Sequence, residues 1–270
     1  MKYKIGEVAR ILGISADLLR YYEEKGVVSP EKDPLNNYRY YDTWDINYLI
    51  DCLWYKNFGF GIEKVAQMVT ECTYDTLLDT LEEKTRLIKE NIRRQELLLR
   101  RIQTFTERLE ATKSYVGKYE VRECSPFYYY INRYNSEYDN QAATLEISRR
   151  WLKYMPFTRR YFEIPENAVH GGSNDYEWGF SVSAEYAKEL EIDVSPPVHE
   201  MLPVLCVHSA FTSSGQERFS PRSIDLLVDY ARANKLEPIG GAFGNLACSV
   251  MENGEETGYF EVYLPVRELG

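Results

Sequence analysis

The 270-residue chain is poor in the residues that build metal centres and covalent staples. Its five cysteines, Cys52, Cys72, Cys124, Cys206 and Cys248, include no CxxC pair, and its three histidines, His170, His199 and His208, lack a ligand spacing such as HExxH. No metal and no cofactor is therefore expected, and the scattered thiols are expected to be small buried apolar side chains. No apolar run approaches the roughly 18 residues of a bilayer span, so no membrane partner is expected. The opening MKYKIGEVAR lacks the apolar stretch and cleavage site of a secretory signal, an expectation of cytoplasmic localisation and reduced thiols. Neither a Ser-His-Asp nor a Cys-His arrangement stands out, so the chain is not expected to be an enzyme.

Positive charge is also in deficit, with a formal net charge of −10. Residues 1–74 carry 9 Lys/Arg against 11 Asp/Glu, residues 75–119 carry 10 against 8, and residues 120–270 carry 13 against 23. The imbalance sits in the last part. A nucleic-acid face in the first part needs only a local cluster of basic and hydrogen-bonding groups. The acidic last part suits a cationic partner, or simply solubility. The length exceeds that of a usual single domain, which predicts two folded units.

What is present begins with helical periodicity. Ile5, Val8, Ala9 and Leu12 share one helix face, and Gly13 permits a turn. Ser15 is a good N-cap, Asp17 suits the first turn, and a second helix runs through Leu18, Leu19, Tyr22 and Glu23 to end near Gly26. Two short helices joined in this way form a helix-turn-helix pattern. The following VVSPEKDPLNNYRYYDTWD has turn residues Pro30, Pro34, Asn36 and Asn37, and predicts a hairpin carrying Tyr38, Arg39, Tyr40 and Tyr41. A third helix over Thr43–Phe58 and a fourth over Ile62–Val69 are separated by Phe58-Gly59-Phe60-Gly61.

A long helix is expected over residues 75–118, with no Pro or Gly before Gly117. Heptad positions a fall at Leu78, Thr85, Ile92, Leu99 and Thr106, and positions d at Leu81, Ile88, Gln95, Ile102 and Leu109. A narrow apolar stripe without a nearby partner predicts a dimerising coiled coil.

Residues 119–270 mix strands and helices. YEVRE, PFYYYINRYN, WGFSVS, LPVLCVHSAF, ACSVM and YFEVYLPV are extended, whereas TLEISRRWLKYM and SPRSIDLLVDYARANKLEP are helical. Strand, helix and strand pair occur twice in this order. The predicted class is α+β: a winged helix-turn-helix over 1–74, a coiled-coil helix over 75–118 and an α/β domain over 119–270. On the closing strand Phe260, Val262 and Leu264 point one way, and Tyr259, Glu261 and Tyr263 the other. A carboxylate flanked by aromatic rings can hold a flat or lipophilic cation. Tyr128, Tyr130, Trp151, Trp178 and Phe180 are further candidates to line such a cleft.

The motifs KIGEVARILGIS, LLRYYEEKGVVSP, NNYRYYD and GFGIEKV agree in order and spacing with the MerR family of bacterial transcription regulators, which the first part of the chain resembles. The resemblance implies that the second helix enters the major groove with Ser15, Asp17 and Arg20 near DNA. Tyr21 or Tyr22 would approach the backbone, Tyr22 being the more buried of the two. Tyr38, Arg39 and Tyr40 of the wing would meet phosphates, which fixes register without reading sequence. Leu18 and Asn37 stand where the family usually has Thr and Gly; Asn tolerates a left-handed turn. The resemblance further implies a homodimer through an antiparallel coiled coil, bound to double-stranded promoter DNA. Such a dimer distorts an overlong spacer so that RNA polymerase engages both promoter elements.

GYFEVYLPV and the strand-helix-strand-strand order resemble the GyrI-like effector-binding module of multidrug-sensing members. That implies a small lipophilic or cationic effector near Glu261. Two alternatives accompany it. One is hydrolysis of a small electrophile with Glu261 as general base, and the other is a metal or redox sensor that would use Cys72.

Overall fold

The computed structural model describes residues 2–34, 37–214 and 219–269. The chain divides into two compact units, Met1–Gln95 and Glu96–Gly270. The first contains β1 (Tyr3–Lys4), α1 (Ile5–Leu12), α2 (Ala16–Glu24), β2 (Glu31–Lys32), β3 (Arg39–Tyr41), α3 (Thr43–Asn57), α4 (Ile62–Thr70) and the start of α5 (Tyr74–Tyr115). Gly13 stops α1 at φ 65°, a left-handed conformation that spares the chain a Cβ clash, and its amide bonds back to the Ala9 carbonyl. Ser15 then caps α2, its hydroxyl accepting from the Leu18 amide at 3.1 Å. Asp42 caps α3 by accepting from the amides of Trp44 and Asp45 at 2.7 and 2.9 Å.

The antiparallel sheet β1-β3-β2 forms the wing. Asn37 enters it at φ 59°, the left-handed turn expected of an asparagine there. Asn36 lies outside the described residues. Val8, Leu19, Tyr22, Tyr41, Leu49, Cys52 and Val65 form the core that joins helices and wing.

The long helix is continuous over Tyr74–Tyr115 and stops before Gly117, whose φ is 70°. Leu78, Ile88, Ile92, Leu99 and Ile102 of the heptad stripe are exposed. Leu97, Arg101 and Thr112 are buried instead, because the last part of α5 packs within the second unit.

That unit continues with β4 (Glu120–Glu123), β5 (Phe127–Tyr134), β6 (Glu137–Tyr138), α6 (Ala142–Leu152), β7 (Arg159–Ile164), α7 (Glu166–Val169), β8 (Glu177–Ser183) and α8 (Ala184–Glu189). Then come β9 (His199–Met201), β10 (Leu205–Ser214), a 3-10 turn at Pro221–Ile224, α9 (Asp225–Ala233), β11 (Leu236–Pro238), β12 (Ala242–Glu252) and β13 (Glu255–Glu268). The main strand order is β4-β10-β13-β12-β7-β8-β5-β6, with β9 beside β5 and β11 beside β13. Strand, helix and hairpin occur twice, as β5-α6-β7-β8 and β10-α9-β12-β13. The order β10-β13-β12 mirrors β5-β8-β7, and the two copies meet at the antiparallel pair β7–β12.

One face of the sheet carries the helices. Tyr130, Ile147, Trp151 and Val182 pack in the first copy, and Phe162, Leu227, Val228, Phe260, Val262 and Leu264 in the second. The other face carries Cys124, Tyr161, Cys206 and Phe243, joined by Phe127, Tyr129 and Tyr263. Gly244 makes the central seam tight: a Cβ there would lie 2.0 Å from the Glu261 carbonyl oxygen and 2.7 Å from the Phe162 ring.

Candidate functional site

In the first unit, the capped start of α2 presents Asp17 and Arg20 to solvent, paired with each other at 2.5 Å. Ser15 is exposed and its hydroxyl oxygen already serves the cap. Glu23, near the end of α2, accepts from Arg39 of β3 at 2.5 Å and stands 3.1 Å from the Lys32 ammonium of β2. Burial alone would raise its carboxyl pKa, but the hydrogen bonds from Arg39 and Lys32 outweigh burial and hold it below the usual range. One carboxylate thus fastens helix and wing together.

Tyr38 is exposed near the Lys4 ammonium, 5.8 Å from its ring, and Tyr40 is half-buried between β1 and β2 partners. Tyr21 is half-buried beneath Lys25, with ring and ammonium 5.5 Å apart. Tyr22 must be removed from the DNA-facing set. It is fully buried, because Leu18, Leu19 and Tyr22 share the core face of α2, and its burial pushes the phenol up to about 12.

In the second unit the decisive residue of β13 is Glu261, which is 7% exposed. Cross-strand pairing sets it between Ala210 of β10 and Asn245 of β12. Arg108, from the last part of α5, forms an ion pair with its Oε2 and also donates to Asn245 Oδ1 at 3.2 Å. Its Oε1 accepts from the Tyr263 hydroxyl at 2.8 Å and lies 3.2 Å from His208 Nε2 and 3.4 Å from Arg122 Nη2. Arg122 in turn donates to the Tyr263 hydroxyl at 2.5 Å and pairs with Glu120 at 3.1 Å. Tyr115 donates to Glu120 at 2.7 Å, and the His208 Nδ1 lies 3.2 Å from the same carboxylate.

Desolvation favours the neutral acid at Glu261. The charge of Arg108 and the hydrogen bonds from His208 and Tyr263 overcome it and hold the carboxyl down to about 2. The carboxylate is ionised and fully engaged.

Beside it runs a band of rings. Tyr115 meets His208 at 5.0 Å, His208 meets Tyr263 at 4.7 Å, Tyr263 meets Phe243 at 5.6 Å and Phe243 meets Phe127 at 5.5 Å. The band continues through Tyr161 to Tyr129, 4.7 Å apart.

The aromatic residues expected to line this cleft do not gather there. Tyr128, Tyr130, Trp151 and Phe180 belong to the helix-side cluster of the first copy, and Trp178 to that of the second. In FYYYINRY a shift of one residue changes the face, so Tyr129, not Tyr128 or Tyr130, stands on the side of Glu261. Tyr259 shares that side, but its hydroxyl donates to Glu252 at 2.9 Å, away from Glu261. The partners that sequence reasoning missed are Arg108, Arg122, His208, Asn245, Tyr129 and Tyr161. Pairing LCVHSAF with YFEVYLPV would have matched His208 with Tyr263; nothing in the sequence singles out Arg108 among the arginines of α5.

Among the described residues there is no group of three or more His, Cys, Asp or Glu placed to hold a metal ion, and Cys72 has no such company. No helix among them is long and apolar enough to cross a membrane.

Comparison with known proteins gives residues 4–41 a match to the family described as "MerR family regulatory protein". Curated relatives include the HTH-type transcriptional activator mta of Bacillus subtilis, 28% identical over 98 residues, which are 36% of this chain and 38% of the relative. The HTH-type transcriptional regulator CueR of Escherichia coli is 35% identical over 65 residues, 24% of this chain and 48% of the relative. The HTH-type transcriptional activator TipA of Streptomyces coelicolor is 28% identical over 75 residues, 28% of this chain and 30% of the relative. The chain thus spans less than half the length of these curated relatives. Among solved structures, the N-terminus of the Bacillus subtilis multidrug transporter activator aligns at 28% identity and TM-score 0.33, covering 40% of this chain and 98% of that one.

Proposed function

We propose that this chain, which carries a MerR-family domain in its first unit, is a ligand-responsive DNA-binding transcription regulator. It acts in the cytoplasm as a homodimer on double-stranded promoter DNA. The observation that carries this reading is Glu23 of α2 holding Lys32 and Arg39 of the wing. A helix and wing fastened in this way present one surface, with Arg20 at the groove and Tyr38, Tyr40 and Arg39 toward phosphates. The exposed Leu78, Ile88, Ile92, Leu99 and Ile102 supply the stripe for an antiparallel coiled coil. RNA polymerase is engaged indirectly, through the distortion of the promoter spacer, which takes a few kcal/mol of DNA deformation.

The effector reading centres on Glu261. A lipophilic cation that uses this carboxylate replaces Arg108, and Arg108 stands on the helix that begins in the first unit. A ligand shifts an equilibrium only by binding its two states unequally, and competition with Arg108 supplies such a difference. Glu261 held ionised by Arg108 is a weak general base, which favours a regulator over a hydrolase.

The first test is selection of duplexes from randomised DNA by the full chain. Enrichment of an inverted repeat is expected. Arg39→Ala should weaken binding to that repeat and reduce its salt slope by about one. No enrichment, or an unchanged slope, overturns the wing assignment. For the effector, Arg108→Ala should tighten binding of a lipophilic cation relative to its neutral isostere; equal change for both overturns the role of Glu261.

A further inference from the structure

The helix-bearing face of the second unit has an opening that follows from its repeated topology. Each copy's helices cover their own half, α6 and α8 over β5 and β8, and α9 over β10 and β13. The seam between the halves, β7 against β12, is left with a cavity of about 730 Å3 on that side. A second cavity, about 230 Å3, shares Arg133, Trp178 and Arg160 with the first. Phe260 lines the larger cavity and precedes Glu261 on β13, so this space lies across the sheet from the Glu261 site.

Its lining combines flat apolar surface with positive charge. Phe219 stands 5.1 Å from Trp178 and 5.4 Å from Phe260, ring to ring. The guanidinium groups of Arg133 and Arg160 lie 5.2 and 4.8 Å from the Trp178 ring. Among the described residues neither arginine has a carboxylate within ion-pair distance. Arg222 completes the positive wall, although it is already engaged: it donates to the carbonyls of Ala168 and Ser173 at 2.8 and 2.9 Å and faces Asp225 at 3.5 Å. Glu256 also lines the cavity, so among the described lining residues three guanidinium groups face one carboxylate. Arg133 Nε and Trp178 Nε1 are both buried without a hydrogen-bond partner among the described residues. Two like charges held beside one ring repel, and an anion between them relieves that repulsion.

We propose that this cavity binds a small aromatic carboxylate. Its ring lies against Phe219, Phe260 and Trp178, and its carboxylate is shared by Arg133 and Arg160. The planar guanidinium fork matches a carboxylate in two parallel hydrogen bonds, and the rings supply the apolar contact. A flat cation, the ligand class suited to Glu261, is repelled here. The site is independent of the DNA reading and of the Glu261 site.

Isothermal titration of the full chain with 2-naphthoate, 2-naphthylmethanol and 2-naphthylmethylammonium tests the assignment. The carboxylate should bind at least tenfold more tightly than the alcohol, and the ammonium should bind most weakly. Arg160→Gln should lower naphthoate affinity at least tenfold, and Arg160→Lys, which keeps the charge and loses the fork, at least threefold. Arg160 is exposed, and its carbonyl, which accepts from Asn245, is retained in both variants. Equal binding of the three probes, no binding of naphthoate, or unchanged affinity in both variants overturns the proposal.

Discussion

Glu261 on β13 and Glu163 on β7 occupy the same face of the second unit's sheet, the first buried and the second half-buried. Their surroundings differ in one respect. Glu261 has Arg108 and Arg122 beside it, and its carboxyl is held down to about 2. Glu163 faces Glu177 across the β7–β8 pair and accepts one hydrogen bond, from the Tyr161 hydroxyl at 3.2 Å. Burial pushes its carboxyl up, and the neighbouring Glu177 pushes it further. The comparison shows that burial does not set the charge of a carboxyl; the nearest counter-charge does. It also separates the two halves of a repeated fold that are alike in topology.

The strongest way to break this contrast is Arg108→Ala, which leaves Glu261 buried with a weaker counter-charge. The loss should be about 2–3 kcal/mol, below the 3–5 of a fully buried pair because Arg122 and Tyr263 remain. Faster hydrogen exchange at β10 and β13 would report it, and unchanged exchange would mean that Arg122 suffices.

Acid titration sharpens the contrast next. The folded Glu261 carboxyl lies below the ordinary 4.5, so its contribution is fully present above that pH and disappears as pH falls toward 2. Glu163, raised in the fold, acts in the other direction: stability falls as pH rises from 4.5 through its folded value. Melting temperature against pH should therefore lose part of its acid-side decline in Glu261→Gln, and part of its decline above 4.5 in Glu163→Gln. Identical profiles for the two variants would erase the distinction. The smallest effect is expected for Glu163→Gln at neutral pH, a gain of less than about 1 kcal/mol from removing a desolvated charge; a clear loss of stability would show that Glu163 has a cationic partner.

Much of the fold was legible from local chemistry. Gly13, Ser15 and Gly26 punctuate α2 as their types demand, and the recurrence of strand, helix and hairpin was visible in element order alone. The site was legible only where one strand carried its own contrast. YFEVYLPV alternates between apolar and polar residues, so Glu261 could be assigned a face. FYYYINRY has aromatic residues at successive positions, so alternation could not choose between Tyr129 and its neighbours, and the register shift between Ile131 and Arg133 hides the phase further. Arg108 was hidden for another reason. A heptad reading treats every arginine outside a and d as solvated, yet the last part of α5 leaves the heptad stripe and packs within the second unit.

The placement of the thiols has a practical consequence. Cys52 is buried in the first unit, Cys124 and Cys206 in the second, and burial pushes the Cys52 thiol up to about 12. A thiolate-directed reagent reaches such groups only when the surrounding structure opens. Once Cys72 and Cys248 are replaced by serine, the remaining native thiols are separate clocks for the two units. Labelling at Cys52 then times the opening of the first unit, and labelling at Cys124 and Cys206 times that of the sheet, without any added probe.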